Sequence, residues 1–191
     1  MGAISPVPFV DEEMMAKVRT RIVEPTIKGI QQREMTYEGF IFIGVINVGG
    51  DPYVIEYNCR MGDPETEVVI PRLENDIVSL FEAVQNQTLN QIDISINPDF
   101  CTSLFLVSGG YPEAYEKGKP IYKLNEVTDS IVFHGGTKQV NDQLITNGGR
   151  VLAISSLGAT MSEALHKSKA NADLIDFEGK YFRSDIGFDL A

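Results

Sequence analysis

Tryptophan is absent, cysteine and histidine occur only twice each, and basic residues are outnumbered 27 to 16 by acidic ones. Each shortage excludes something. Cys59 and Cys101 fall on segments that read as different units, so neither a disulfide framework nor a zinc site follows from them. A reducing, cytoplasmic setting is the simplest one for such a chain. The net charge of −11 argues against nonspecific binding to nucleic acid or to an anionic membrane, because phosphate attraction needs clustered Lys and Arg. A small phosphate-bearing ligand stays compatible, since a few cations, backbone N–H groups or a metal can hold one locally. No apolar run reaches the roughly 18 residues of a membrane helix. The opening residues, 1–10, lack the basic start and long apolar stretch of a signal peptide.

What is present suits a folded domain. Hydrophobic residues make up 43% and charged residues 23%, an ordinary globular balance that allows a real core. No internal repeat or low-complexity tract stands out. Residues 1–8 read as a loop because of Gly2, Pro6 and Pro8. Asp11 is a helix N-cap candidate, Glu12 and Glu13 suit the first turn, and Met14, Val18 and Ile22 repeat at helical spacing. Pro25 ends or kinks that helix. Residues 40–48 and 53–58 read as two strands around the turn Gly49-Gly50-Asp51-Pro52, a hairpin. From Leu73 the apolar residues Ile77, Leu80, Phe81 and Val84 mark a helical face. Beyond residue 97 the character changes. Strands are expected at 101–108, 130–134, 143–146 and 151–155, then a helix opened by the capping box Thr160 to Glu163, then a last strand at 181–186. The expected boundary lies near residue 97. An α/β portion (1–97) precedes a small β-rich domain with one helix (98–191).

The segment from Glu56 to Glu65 carries the most chemistry. Side chains two apart on a strand share a face, so Glu56 and Asn58 point the same way. A carboxylate beside an amide carbonyl offers two hard oxygens of the kind Mg²⁺ prefers, with water and nucleotide phosphates completing the shell. The plainer alternative is a half-buried strand with polar outward positions. Arg60 could meet a phosphate or carboxylate, or pair with Glu65 or Glu67. Asp63-Pro64 reads either as N-cap plus first helical residue or as part of a substrate site. His134, beside Gly135-Gly136, reads as packing or turn hydrogen bonding, and His166 as solvent-facing.

The run Glu56-Tyr57-Asn58-Cys59-Arg60-Met61-Gly62-Asp63-Pro64-Glu65-Thr66 resembles the signature of the phosphoribosylamine–glycine ligase (glycinamide ribonucleotide synthetase) family. Met61 stands where the family usually has Phe, and Glu67 where it commonly has Gln. Further family-like segments follow in family order: Gly109 to Pro112, His134 to Thr137, Gly148 to Leu152, and Tyr181 to Gly187. The resemblance covers nearly the whole chain.

The resemblance implies the C-terminal half of an ATP-grasp unit followed by the family's small C-terminal domain. It implies an ATP-dependent carbon–nitrogen ligase of purine biosynthesis, joining glycine to 5-phosphoribosylamine through glycyl phosphate. Glu56 and Asn58 would bind Mg²⁺ or Mn²⁺ and through it ATP. Arg60 would sit near the transferring phosphate or the glycine carboxylate, and Asp63 and Glu65 would shape the substrate end. The match starts mid-enzyme, so the N-terminal half is an expected partner and the chain alone is expected to be inactive and to expose apolar surface. The strand before Glu56, residues 40–46, has no carboxylate to serve as a further ligand. The competing reading is a non-catalytic binding module that retained the fold.

Overall fold

Strands β4 (Phe100–Val107) and β8 (Arg150–Gly158) are apolar or serine-bearing along almost their whole length, and a strand of that kind is buried on both faces. They pair antiparallel at the centre of a four-stranded sheet ordered β1-β4-β8-β5, where β1 is Gly2–Ser5 and β5 is Ile131–His134. The computed structural model describes residues 1–190. Register sets Leu104 opposite Ile154 and Leu106 opposite Leu152. Those side chains share one face and form the main core with Ala172, Ile175 and Phe177. The last three residues come from helix α5 (Met161–Leu174) and the chain just after it. Phe105, Val107 and Ala153 point to the other face and form a second cluster with Tyr111 and Phe133.

Helix α5 starts where the capping box placed it. Thr160 Oγ1 accepts from the Glu163 backbone N–H at 3.1 Å, and Glu163 accepts from the Ala159 N–H. Its seam with the sheet is polar. Ser168 bridges Thr102 of β4 and Ser156 of β8 at 2.9 and 2.8 Å, so these buried hydroxyls satisfy one another.

Two expectations for this unit fail for identifiable reasons, and one strand is added. Residues 2–5 are not loop but an edge strand, because Pro6 and Pro8 lie just beyond it and need no ladder bond within it. Gly2 is required there, since a Cβ would lie 2.5 Å from the Ser103 carbonyl oxygen. The expected strand at 181–186 reduces to one bridge between Tyr181 and Val107. Strand β1 already occupies that edge of β4 as far as Leu104. An additional hairpin, β6 (Thr137–Val140) with β7 (Gln143–Thr146), turns on Asn141 and Asp142, both at positive φ.

The second compact unit comprises Val7–Gly62 and Asn75–Ser95. Asp11 caps α1 (Glu12–Val18) by accepting from the Met14 N–H at 2.8 Å. Pro25 does not end the helix. A π-helical turn, Arg19–Val23, precedes it, and α2 (Glu24–Gln32) continues with proline in its first turn, where the missing N–H matters least. Strands β2 (Phe42–Val48) and β3 (Asp51–Asn58) form the expected hairpin, tightened to the two residues Gly49 and Gly50, at φ +61 and +88. Helix α4 (Ile77–Gln85) begins later than expected, because Asp76 caps it, and Leu73 instead bridges to Ile96 in the first unit.

The compact units are not separated by a single cut near residue 97. The first gathers Met1–Pro6, Asp63–Glu74 and the chain from Ile96 onward. Pairing of β1 with β4 draws the opening residues there.

Candidate functional site

Glu56 and Asn58 stand on one face of β3, as period-two spacing requires. Asn58 Nδ2 donates to Glu56 Oε1 at 2.8 Å. Opposite Glu56 in the ladder is Gly44, and a Cβ at that position would lie 3.0 Å from Glu56 Cγ. The glycine thus leaves room for the carboxylate stem, and the ladder bulges immediately after it. Both side chains present hard oxygens, the donor chemistry that Mg²⁺ and Mn²⁺ favour. Among the described residues no group of three or more His, Cys, Asp or Glu side chains could enclose a metal. Two such oxygens suit a cation that takes the rest of its shell from phosphate and water. Arg60 lies just past the strand. Its Nη1 donates to the Met61 carbonyl at 2.8 Å.

Those three residues belong to the second unit, whereas Asp63 and Glu65 belong to the first. Asp63 is not a helix cap. Helix α3 (Thr66–Val69) has Glu65 at its N-cap position, with no side-chain capping bond. At four residues α3 offers no anion site. The Asp63 carboxylate instead pairs with Arg150, Oδ1 to Nη1 at 2.8 Å. Arg150 in turn lies over the Phe105 ring, 5.7 Å from its centroid, a cation–π arrangement.

This ion pair lines a pocket of about 430 Å³ within the first unit, on the sheet face opposite α5. Phe105 and Phe133 supply apolar floor. Tyr111 and Tyr115 pack with their rings tilted by 59° and their centroids 6.3 Å apart. Gly149 lets Tyr111 in, since a Cβ there would fall 2.2 Å from the ring. His134 also lines the pocket, its Nδ1 bonded to Thr137 Oγ1 at 2.9 Å, so the turn-bonding reading holds while the residue also borders the cavity. Glu67 completes the wall. Its Oε2 is buried without a hydrogen-bond partner. Burial chiefly, with the carboxylates of Asp63 and Glu65, pushes its pKa upward, against a hydrogen bond from its own backbone N–H and the charge of Arg150.

Of the two residues expected at the substrate end, Asp63 lines this pocket and Glu65 does not; sequence reasoning did not single out Arg150, Tyr111 or Phe105 as site residues. The glycine pairs before Tyr111 and Arg150 were the available signal, since close backbone approach is what glycine permits.

With that geometry in hand, the chain can be compared with known proteins. Residues 1–66 match the family model described as phosphoribosylglycinamide synthetase, ATP-grasp (A) domain, and residues 101–189 match its C domain. The phosphoribosylamine–glycine ligase of Vibrio cholerae is 41% identical over 191 residues, covering 98% of this chain and 44% of the relative. That of Chlorobaculum tepidum is 38% identical over 190 residues, 98% of this chain and 45% of the relative. The chain therefore spans about 45% of the length of the curated relatives it matches. The crystal structure of the Thermotoga maritima phosphoribosylamine–glycine ligase superposes with a TM-score of 0.86 at 32% identity, over 97% of this chain and 46% of that one. The biotin carboxylase domain of a Hydrogenobacter thermophilus 2-oxoglutarate carboxylase, solved with MgADP and bicarbonate, gives a TM-score of 0.64 at 15% identity, over 95% of this chain and 40% of that one. The last match shows only an ATP-grasp-related fold of mixed helix and sheet.

Proposed function

The chain belongs to the phosphoribosylglycinamide synthetase family, and from that premise we propose that it is the C-terminal part of an ATP-dependent ligase. The reaction joins glycine to 5-phosphoribosylamine, giving glycinamide ribonucleotide, ADP and phosphate by way of glycyl phosphate, in the cytoplasm. The observation that carries the proposal is the Glu56–Asn58 oxygen pair on one strand face, inside a segment with family spacing.

On this reading Glu56 and Asn58 hold Mg²⁺ or Mn²⁺. The metal, when bound, would neutralise phosphate charge during acyl-phosphate formation. Arg60 takes an anionic oxygen of the phosphate or of glycine. Asp63, which pairs with Arg150 beside Phe105, shapes the substrate end together with Glu65. In evolutionary terms residues 1–97 are the ATP-grasp part and 98–191 the C domain. The two family models, ending at 66 and starting at 101, support that division.

The remainder of the ligase would provide the rest of the nucleotide site and cover the apolar faces of the second unit. Val45, Ile46, Tyr53, Val54 and Ile55 of the hairpin are all exposed, Ile55 by 66%, which is unusual for a free-standing sheet.

Supplying the N-terminal half as a separate chain tests the reading. Glycine-dependent ADP release should appear only with both chains, and Glu56→Gln should lower it at least about 100-fold. Verified association with no activity would favour a non-catalytic binding module. The chain alone should bind Mg-ATP weakly, and an isothermal titration giving a micromolar Kd would contradict that.

A further inference from the structure

A second cleft, of about 400 Å³, lies in the first unit between α5 and the segment from Ser184 to Phe188. Ser162, Leu165, His166 and Lys169 are three or four residues apart and share one stripe of α5. Facing them, Ile186 packs into the main core. Gly187, at φ +84, then turns the chain so closely that a Cβ would lie 3.0 Å from a Leu165 methyl.

Besides Asp185, four polar side chains line this cleft: Ser162, His166, Lys169 and Ser184. None has a hydrogen-bond or ion-pair partner among the described residues. The contrast on the same helix is Lys167, bound to Glu163 at 2.8 Å and to the Leu157 carbonyl at 3.0 Å. The one carboxylate at the cleft, Asp185, is already gripped by the Arg183 fork at 2.8 and 2.9 Å. Lys169 is thus an uncompensated cation in a chain of net charge −11. Leu165 and Phe188, the latter 69% exposed, add an apolar wall.

We propose that this cleft binds a phosphate monoester carrying an aromatic or apolar body. Lys169, His166 and the two serine hydroxyls donate to the phosphate oxygens, and the body rests on Leu165 and Phe188. Four separate donors match the three terminal oxygens of a phosphate better than the two of a carboxylate. A cavity with an apolar wall and a few convergent polar groups is the usual form of a small-molecule site. The site is independent of the ligase reading.

The two histidines make the test internally controlled. Phenyl phosphate is titrated into the full chain and followed by proton NMR. The His166 imidazole signals should shift saturably while those of His134 stay in place. Inorganic phosphate should bind at least about tenfold more weakly, since it lacks the body that occupies the apolar wall. Lys169→Met should weaken phenyl phosphate at least about tenfold, and Ser184→Ala should weaken it less, with the His134 signals reporting an intact fold in each. Absence of a saturable His166 shift, equal movement of both histidines, or unchanged affinity in Lys169→Met would overturn the site. Equal affinity for inorganic phosphate would overturn the ligand class.

Discussion

Glu67 keeps a carboxyl oxygen out of reach of water and without a partner. An unsatisfied buried acceptor costs about 1–3 kcal/mol, and natural proteins tolerate such costs where function needs the group. Burial chiefly, and then Asp63 and Glu65, raise its pKa above the ordinary 4.5. Between the ordinary value and the raised one, the folded state therefore holds more protons than the unfolded state. Stability must fall as pH rises through that window and stay lower above it. Glu67→Gln should remove this slope and raise stability at neutral pH, read from urea unfolding across about pH 4 to 8. A less stable Gln variant at neutral pH would mean that the carboxylate has a favourable partner in solution. The cysteines differ just as clearly. Burial pushes the Cys101 thiol up to about 11, and Cys59 is exposed. Iodoacetamide should label Cys59 in the folded chain and reach Cys101 only on unfolding, as peptide mass mapping would show.

At the scale of elements, α5 is held at both ends. The capping box closes its start. At its end the Lys180 ammonium donates to the carbonyls of Ala172, Asp173 and Ile175, acceptors that the helix itself leaves open. Desolvation lowers the Lys180 pKa, so the three bonds act against a real cost. Lys180→Met, which keeps the stem and removes the donors, should lower stability by about 1–2 kcal/mol, measured as a shift in the urea midpoint at constant m. The start of α5 was legible because a capping box is a local signal, as were the hairpin of β2 and β3 and the shared face of Glu56 and Asn58. The end of α5, expected near Ile175, falls at Leu174, but the Lys180 clamp on it was not legible, because Lys180 lies six residues beyond. The same limit explains the pocket. Arg150 meets Asp63 across 87 residues, and only the pairing of β4 with β8 sets Arg150 near Phe105. It also explains β1, whose partner lies about a hundred residues later. Sequence pattern reads periodicity within an element, and these contacts depend on sheet order.

The two units differ most in what they bury. In the first, β4 and β8 are sealed on both faces, with Leu104, Leu106, Leu152 and Ile154 fully inaccessible. In the second, Met14, Ile22 and Ala83 are the buried apolar residues among those described, while Val48, Tyr53, Ile55 and Phe81 stay open to solvent. Apolar burial is the main favourable term in folding, about 25 cal/mol per Å², so the second unit should be the weaker one. Local opening free energies follow such differences. Hydrogen exchange on the isolated chain should show the amides of β2, β3 and α4 exchanging at least about 100-fold faster than those of β4 and β8. Adding the N-terminal half of the ligase should slow exchange in β2 and β3, because the proposed cover removes their apolar faces from water, and should leave β4 and β8 little changed. Uniform protection across both units would mean that the hairpin is stable without that cover. Unchanged exchange in β2 and β3 on a demonstrated complex would mean that the N-terminal half binds elsewhere.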